Sequence, residues 1–514
     1  MLIILLLVTL LAVATAYQWK KCQKLPKGFD IQFLCARIYN FLGPTPLPII
    51  GNFHQFVYYG LKLGSAVAVY HHFEKVHGKV FTLWMGLLPT VYISDYDIAH
   101  ETHIKRANVF SKRFATGTTQ HIRDGRGIIA SNGEFWQEHR RFALTTLRNF
   151  GLGRNIMEEK IMEEYHYRVA DYTKTHTKNG AIEIHAGTFF DLLVGSIINQ
   201  LLISERFEQD DQEFEKIKSA LAESLENFGI VDIFFPCWFL ETPLMAWRQK
   251  KIFKPFDFVY EVSVRNIAKR VAAVESGDHV IEDGGNDFAD AYLLKIQKDQ
   301  RDGVKSTFDY ETMAIDVFDL WQAGQETTST TLTWAFACLL NHPEVVKKLR
   351  AELMKLTGGN RTISLTDRPD TPYLNATCNE VQRIASILNI NLFRHIEEDT
   401  VIAGQPLAAG TALTTQMSML HTDETVFKNA TEFKPERFLE NSNLEKTLIP
   451  FGIGKRSCLG ESLARAELYL ILSNLILDFD IEPVGTVPPI KTLNPFGLLR
   501  RPPTYNIRFK PVKH

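Results

Sequence analysis

Residues 451–460, FGIGKRSCLG, form a glycine-interrupted loop that carries one cysteine, Cys458, with Arg456 two residues ahead of it. The loop leads into residues 462–476, SLARAELYLILSNLI, whose apolar positions recur at helical spacing. Cys458 therefore stands just ahead of a helix N-terminus. Backbone N–H groups and the helix dipole favour a thiolate over a thiol there, and Lys455 and Arg456 add positive charge. Gly452, Gly454 and Gly460 allow tight turning and close approach to a flat partner. A lone cysteine is most often a small buried apolar side chain, but a cysteine in this setting reads as an iron ligand.

Composition narrows the rest. Over 514 residues the net charge is −2 and 23% of residues are charged, which argues against a nucleic-acid binder with a broad basic face. An aromatic share of 11%, with 35 Phe, fits generous apolar cavities or membrane contact. The cysteines are Cys22, Cys35, Cys237, Cys338, Cys378 and Cys458, with no Cys-x-x-Cys pair. Neither a zinc site nor a disulfide framework is indicated, and a reducing compartment fits.

The first 17 residues, MLIILLLVTLLAVATAY, are uncharged, apolar and just long enough to cross a bilayer. Lys20, Lys21 and Lys24 follow, so the positive-inside rule leaves the remainder cytosolic. A small-residue cleavage site at Ala14-Thr15-Ala16 offers the alternative of a signal peptide, against which stands the missing basic n-region. Residues 18–42 read as a basic linker, in which 27–42 has no assigned role. Pro44, Pro46 and Pro48 then force an extended hinge, and residues 43–514 are expected to be one catalytic domain.

Residues 79–86 and 90–95 read as a hairpin, and residues 133–151 as an amphipathic helix with Trp136 and Arg140 on one face. Residues 151–310 are mostly helical in pattern, interrupted at 229–247 by an unusually apolar stretch suited to shallow membrane contact or to a core loop. Residues 313–341 are helical in pattern yet hold Ala323, Gly324, Glu326, Thr327 and Thr328 mid-span. Gly324 costs up to about 1 kcal/mol there relative to alanine, and Thr327 can bond the carbonyl four residues back, which opens the ladder and makes room for a small ligand. Glu380 and Arg383 sit three apart on a helix, and Arg437 follows in PERF, residues 435–438.

Together these motifs resemble the cytochrome P-450 haem-thiolate monooxygenases, most nearly the microsomal, family-2-like animal type. The family's haem loop, Phe-x-x-Gly-x-Arg-x-Cys-x-Gly, is met by Phe451, Gly454, Arg456, Cys458 and Gly460, and its oxygen-groove motif, Ala-Gly-x-Glu-Thr-Thr, by residues 323–328. The resemblance implies a mainly α (α+β) fold, with a large helical domain and a small β-rich domain around a buried haem b whose iron is held by Cys458. It implies that Trp136, Arg140 and Arg113 contact one propionate and Arg394 the other. Ala323 would lie over the haem, with Glu326 and Thr327 relaying protons to bound O2. Glu380, Arg383 and Arg437 would form scaffolding beneath the haem. Gln322, Gln325 and Leu498 would line the substrate pocket, where two glutamines hint at a hydrogen-bonding group on the substrate.

The implied reaction inserts one oxygen atom of O2 into a lipophilic small molecule, a xenobiotic, fatty acid or steroid-like compound. Electrons would come from NADPH through a separate NADPH-cytochrome reductase, with cytochrome b5 a further candidate, docking on a basic face with Lys455 and Arg141. The implied location is the endoplasmic reticulum membrane, with no nucleic-acid partner. Two alternatives stay open: a haem-thiolate isomerase or dehydratase needing no reductase, against which stands the Glu326–Thr327 pair, and a non-catalytic haem-binding sensor.

Overall fold

Aspartate and proline mark where many helices of this chain begin. Asp211, Asp287 and Asp309 accept from backbone N–H groups of the first turns that follow them, filling donors a helix cannot satisfy itself. Pro343 and Pro372 each open another helix, where a missing N–H costs nothing. The computed structural model describes Val13 and residues 43–512, except 48–49, 87, 151–154, 229–231, 233–236, 389–390 and 491–498. The expected anchor (Val13 apart), the linker, and Leu498 therefore lie outside the described residues.

In chain order, α1 (Phe53–Leu63) and α2 (Ala66–His77) precede the hairpin β1 (Val80–Met85) and β2 (Leu88–Ile93), where the sequence predicts one. There follow α3 (Gly117–Arg123), α4 (Gly133–Asn149), α5 (Asn155–His176), β3 (Thr177–Lys178), β4 (Ala181–His185), α6 (Ala186–Ile203), α7 (Gln212–Asn227), α8 (Phe253–Ser276) and α9 (Phe288–Arg301). Next come α10 (Tyr310–Asn341), α11 (Pro343–Thr357), α12 (Pro372–Ala385), β5 (Arg394–His395), β6 (Thr400–Ile402), β7 (Gln405–Leu407) and β8 (Ala412–Thr415). The chain finishes with α13 (Glu436–Glu440), α14 (Glu461–Asp478), β9 (Phe479–Val484) and β10 (Asn506–Pro511). Shorter turns of helix lie between some of these.

One sheet has the order β1-β2-β8-β5, in which β2 and β8 run parallel, Thr90 opposite Ala412, and the other neighbours antiparallel. A second, β3-β4-β10-β9, is antiparallel throughout, and β6 pairs with β7 alone. The fold is thus mainly α with small sheets, as expected.

The centre of the core is α10, 32 residues long and so about 48 Å from end to end. It packs against α6, α8, α12 and α14. Helix α6 is apolar on nearly every side and long enough to cross a membrane by length and composition. A helix of that kind needs an apolar surrounding on every face, and here protein supplies it, with the Phe190 and Phe336 rings stacked 5.0 Å apart.

Candidate active site

Helix α14 begins at Glu461, with Gly460 ahead of its first turn, so the loop at 451–460 ends where unpaired backbone N–H groups face outward. The Cys458 N–H donates to the Phe451 carbonyl (2.9 Å) and folds the loop back on itself. Gly454 has φ +79°, and a Cβ there would lie 2.0 Å from the His103 carbonyl oxygen, so the turn requires glycine. A Cβ at Gly460 would meet nothing within 4 Å. Phe451 packs beneath the Arg465 guanidinium, 4.8 Å from the ring centre.

The Cys458 thiol opens into a cavity of about 400 Å³. Its walls come from α3, α4, α6, α10, α12 and α14 and from the segments at 385–394 and 450–460. The surface Cys458 exposes is cavity surface, and burial pushes the thiol above its ordinary pKa; the Gly460 N–H and the Arg140 guanidinium pull the other way, more weakly. Arg140, rather than the expected Lys455 and Arg456, is the cation that acts on the thiol. The Lys455 ammonium bonds Asn108 Oδ1 at 2.5 Å, and Arg456 donates to Ser111 O (2.8 Å), Ser131 O (2.8 Å) and Asn132 Oδ1 (2.9 Å). A bound metal ion would provide the charge that turns thiol into thiolate.

Beside the cysteine four arginines converge. Arg140 Nη2 donates to Ser457 O at 2.7 Å, and Arg394 donates to Phe110 O (3.3 Å) and Ile453 O (3.1 Å). Arg113 donates to Leu392 O at 3.2 Å and bridges to Arg394 through the backbone. The Arg456 guanidinium lies 3.5 Å from the Trp136 ring centre. Among the described residues, none of the four has a carboxylate within ion-pair reach. Burial first, and then mutual repulsion, depress all but Arg140, where burial alone acts downward: Arg456 to about 8, Arg113 to about 10, Arg394 well below its ordinary value. A guanidinium keeps its proton in proteins, so this depression measures unmatched positive charge. Arg113 Nε, Arg456 Nη1 and Trp136 Nε1 are buried donors without acceptors. The donor set fits a flat ligand with two acidic groups, a cysteine-reachable metal and room above Gly460, which is what haem b presents.

On α10, Ala323 faces the cavity and the Thr327 hydroxyl donates to the Ala323 carbonyl at 2.7 Å. Glu326, 2% exposed, also lines the cavity and is locked by groups that sequence reasoning missed. Its Oε1 accepts from the Lys218 ammonium of α7 at 2.5 Å, and Lys218 also pairs with Asp191 of α6 at 2.7 Å. The two carboxylates raise the Lys218 pKa against the opposing effect of burial. Arg501 stands 3.9 Å from Glu326 Oε2. Arg123 of α3, paired with Asp319 of α10, is a second such addition. The only sequence signal for Asp319 is its place one helical turn before Ala323.

Gln322 lines the cavity, but Gln325 does not. The sequence expectation for Gln325 is corrected by packing: it is wholly buried against α6, its Nε2 donating to Asp191 O at 2.9 Å. Leu499, next to the undescribed Leu498, reaches the cavity. Below, Glu380 accepts from Arg383 Nε (2.7 Å) and Nη2 (2.8 Å) and from Arg437 Nε (3.1 Å), all three side chains buried.

Comparison with known families matches residues 42–509 to Cytochrome P450. The chain is 36% identical over 506 residues to "Probable cytochrome P450 cyp-35D1" of Caenorhabditis elegans, covering 98% of each chain. It is 33% identical over 472 residues to "Cytochrome P450 2J5" of Mus musculus (90% of each). It is 32% identical over 481 residues to "Cytochrome P450 2C8" of Homo sapiens, covering 91% of this chain and 94% of that one.

Proposed function

Since the chain belongs to the cytochrome P450 family, we propose how haem-thiolate monooxygenase chemistry is divided among its residues, what it acts on and where it sits. The enzyme inserts one oxygen atom of O2 into a lipophilic substrate, using haem b and electrons passed from NADPH by a redox partner. When bound, the haem supplies a thiolate-ligated iron that activates O2. Cys458 is the iron ligand. Arg113, Arg140, Arg394, Arg456 and Trp136 would hold the two acidic groups of the haem, which their buried, carboxylate-free donors match. Ala323, a small side chain on the cavity wall, would leave room for a small ligand there. The Thr327 hydroxyl, spending its proton on the Ala323 carbonyl, turns its oxygen into an acceptor. Glu326 Oε2, the carboxylate oxygen that Lys218 does not take, is the atom that picks up and returns a proton.

Ile128, Ile198, Leu201, Leu388 and Leu499 make most of the cavity apolar, which supports a xenobiotic, fatty acid or steroid-like substrate. The redox partner is an NADPH-cytochrome reductase, with cytochrome b5 as a second donor, docking beside Lys455 and the exposed Arg141. Residues 1–17 anchor the chain in the endoplasmic reticulum membrane, 18–42 link, and 43–514 form the cytosolic catalytic domain. Leu244 and Trp247, 76% and 58% exposed, support a second, shallow membrane contact.

One observation carries this reading: a thiol and four carboxylate-free arginines share one cavity. The test is the carbon monoxide difference spectrum of dithionite-reduced protein, wild type against Cys458→Ala. The expected result is a red-shifted Soret band in wild type that is lost in the variant. A folded wild type that takes up no haem overturns it.

A further inference from the structure

On the wall of the cavity, its neighbours orient one polar side chain and leave half of it unused. Gln322, one residue ahead of Ala323, accepts from Arg123 Nη2 through Oε1 at 3.2 Å. A guanidinium only donates, so the amide carbonyl must face Arg123 and the amide NH2 must face away from it. That NH2 donates to no described residue, and Gln322 borders the cavity.

Arg123 itself is not free to receive an anion. Its Nε and Nη2 both reach Asp319 Oδ1, at 2.7 and 2.6 Å, in a pair almost wholly buried. Asp319 Oδ2 accepts the backbone N–H groups of Ile128 and Ile129 at 2.8 and 2.9 Å. Gly127, with φ +82°, makes that approach possible, since a Cβ there would lie 2.5 Å from Oδ2. One positive charge is matched by one negative, and both carboxylate oxygens are engaged. A carboxylate entering here would be stripped of water beside Asp319 with no unmatched cation to meet it. An uncharged acceptor needs only the N–H that Gln322 offers.

We propose that Gln322 selects substrates, so that the cavity takes lipophilic molecules bearing a neutral hydrogen-bond acceptor, such as a ketone, ester or amide carbonyl, in preference to ionised acids. The proposal rests on the cavity being the substrate site and narrows the substrate class given above. Its test is isothermal titration calorimetry of the full-length haem-loaded protein with three probes. These are butyrophenone, butylbenzene (a methylene in place of the carbonyl) and 4-phenylbutyrate. Comparing the butyrophenone-to-butylbenzene affinity ratio between wild type and Gln322→Leu cancels the different hydration of the probes.

The ratio is expected to fall about 3- to 10-fold in the variant, the worth of one neutral hydrogen bond, with 4-phenylbutyrate the weaker acceptor-bearing ligand of wild type. Gln322→Met serves if the leucine variant does not fold. An unchanged ratio, or 4-phenylbutyrate binding wild type more tightly than butyrophenone, overturns the proposal. Calorimetry reads binding without turnover. A wild type lacking the carbon monoxide band therefore counts against the haem-thiolate assignment, and an unchanged ratio counts against Gln322 alone.

Discussion

Buried charges in this chain are of two kinds, matched and unmatched, and each residue's role follows from which kind it is. Glu380 is matched: Arg383 and Arg437 share it, and the Lys434 N–H donates to it at 2.8 Å. Glu380→Gln leaves two buried guanidinium groups without a carboxylate. Chemical unfolding of the holoprotein should show a loss of about 3–5 kcal/mol. This cluster was legible in the sequence, because two of its members lie on one helical face and the third in a short recognisable segment. The position of Arg113 was legible only through family offset, and the structure brings it beside Arg394. Lys218 was not legible. Its partner Glu326 is over a hundred residues away, and a lysine on an amphipathic helix looks solvated until the fold closes over it.

At the level of elements, α6 and α10 approach closely because of Gly195. A Cβ on Gly195 would fall 2.4 Å from Gln325 Oε1 and 2.7 Å from the Phe214 ring. Gly195→Val should therefore cost about 1–3 kcal/mol by overpacking, read by thermal unfolding. The same contact explains why Gln325 defeated sequence reasoning. Residues three apart on a helix are neighbours, so both glutamines looked like pocket residues, and only the arrival of α6 separates them. Helix α14 supplies a pH prediction. Glu467 is fully buried, and burial pushes its carboxyl up to about 8 from an ordinary 4.5, with the Thr328 hydroxyl lowering it less. The folded chain keeps a proton that the unfolded chain releases, so this group's contribution weakens as pH rises from about 4.5 to 8 and is level above that. Glu467→Gln never titrates. Its urea midpoint should fall less than that of wild type between pH 6 and pH 8.

For the molecule as a whole, the four cavity arginines come from four separate parts of the chain, and only an acidic ligand reconciles them. In haem-free protein, sulfate should occupy part of that role and raise the melting temperature by roughly several degrees, by mass action on the folded state. The holoprotein should scarcely respond. Scanning fluorimetry of both forms, with and without sulfate, reads the difference. A uniform response of both forms would mean the arginines are satisfied without the haem. The helical class of the fold, the hairpin and the turn at 451–460 ahead of α14 were all readable from local pattern. The pairings of β2 with β8, β4 with β10 and β5 with β8 were not, because they join separate segments and each strand is only two to six residues long.

The parallel pairing of β2 with β8 has a consequence during synthesis. Thr90 and its partner Ala412 are separated by about 320 residues, so at roughly 5–20 residues per second the ribosome delivers β8 some tens of seconds after β2. Throughout that interval the hairpin presents Val91 and Ile93 on a strand with one edge unpaired, an invitation to neighbouring nascent chains. In the finished enzyme β8 pairs with Thr90–Ile93 along that edge. Its hazardous period is its own translation, when Ala99 and Phe110, made soon after β2, can cover the faces of Val91 and Ile93 but not the open backbone edge.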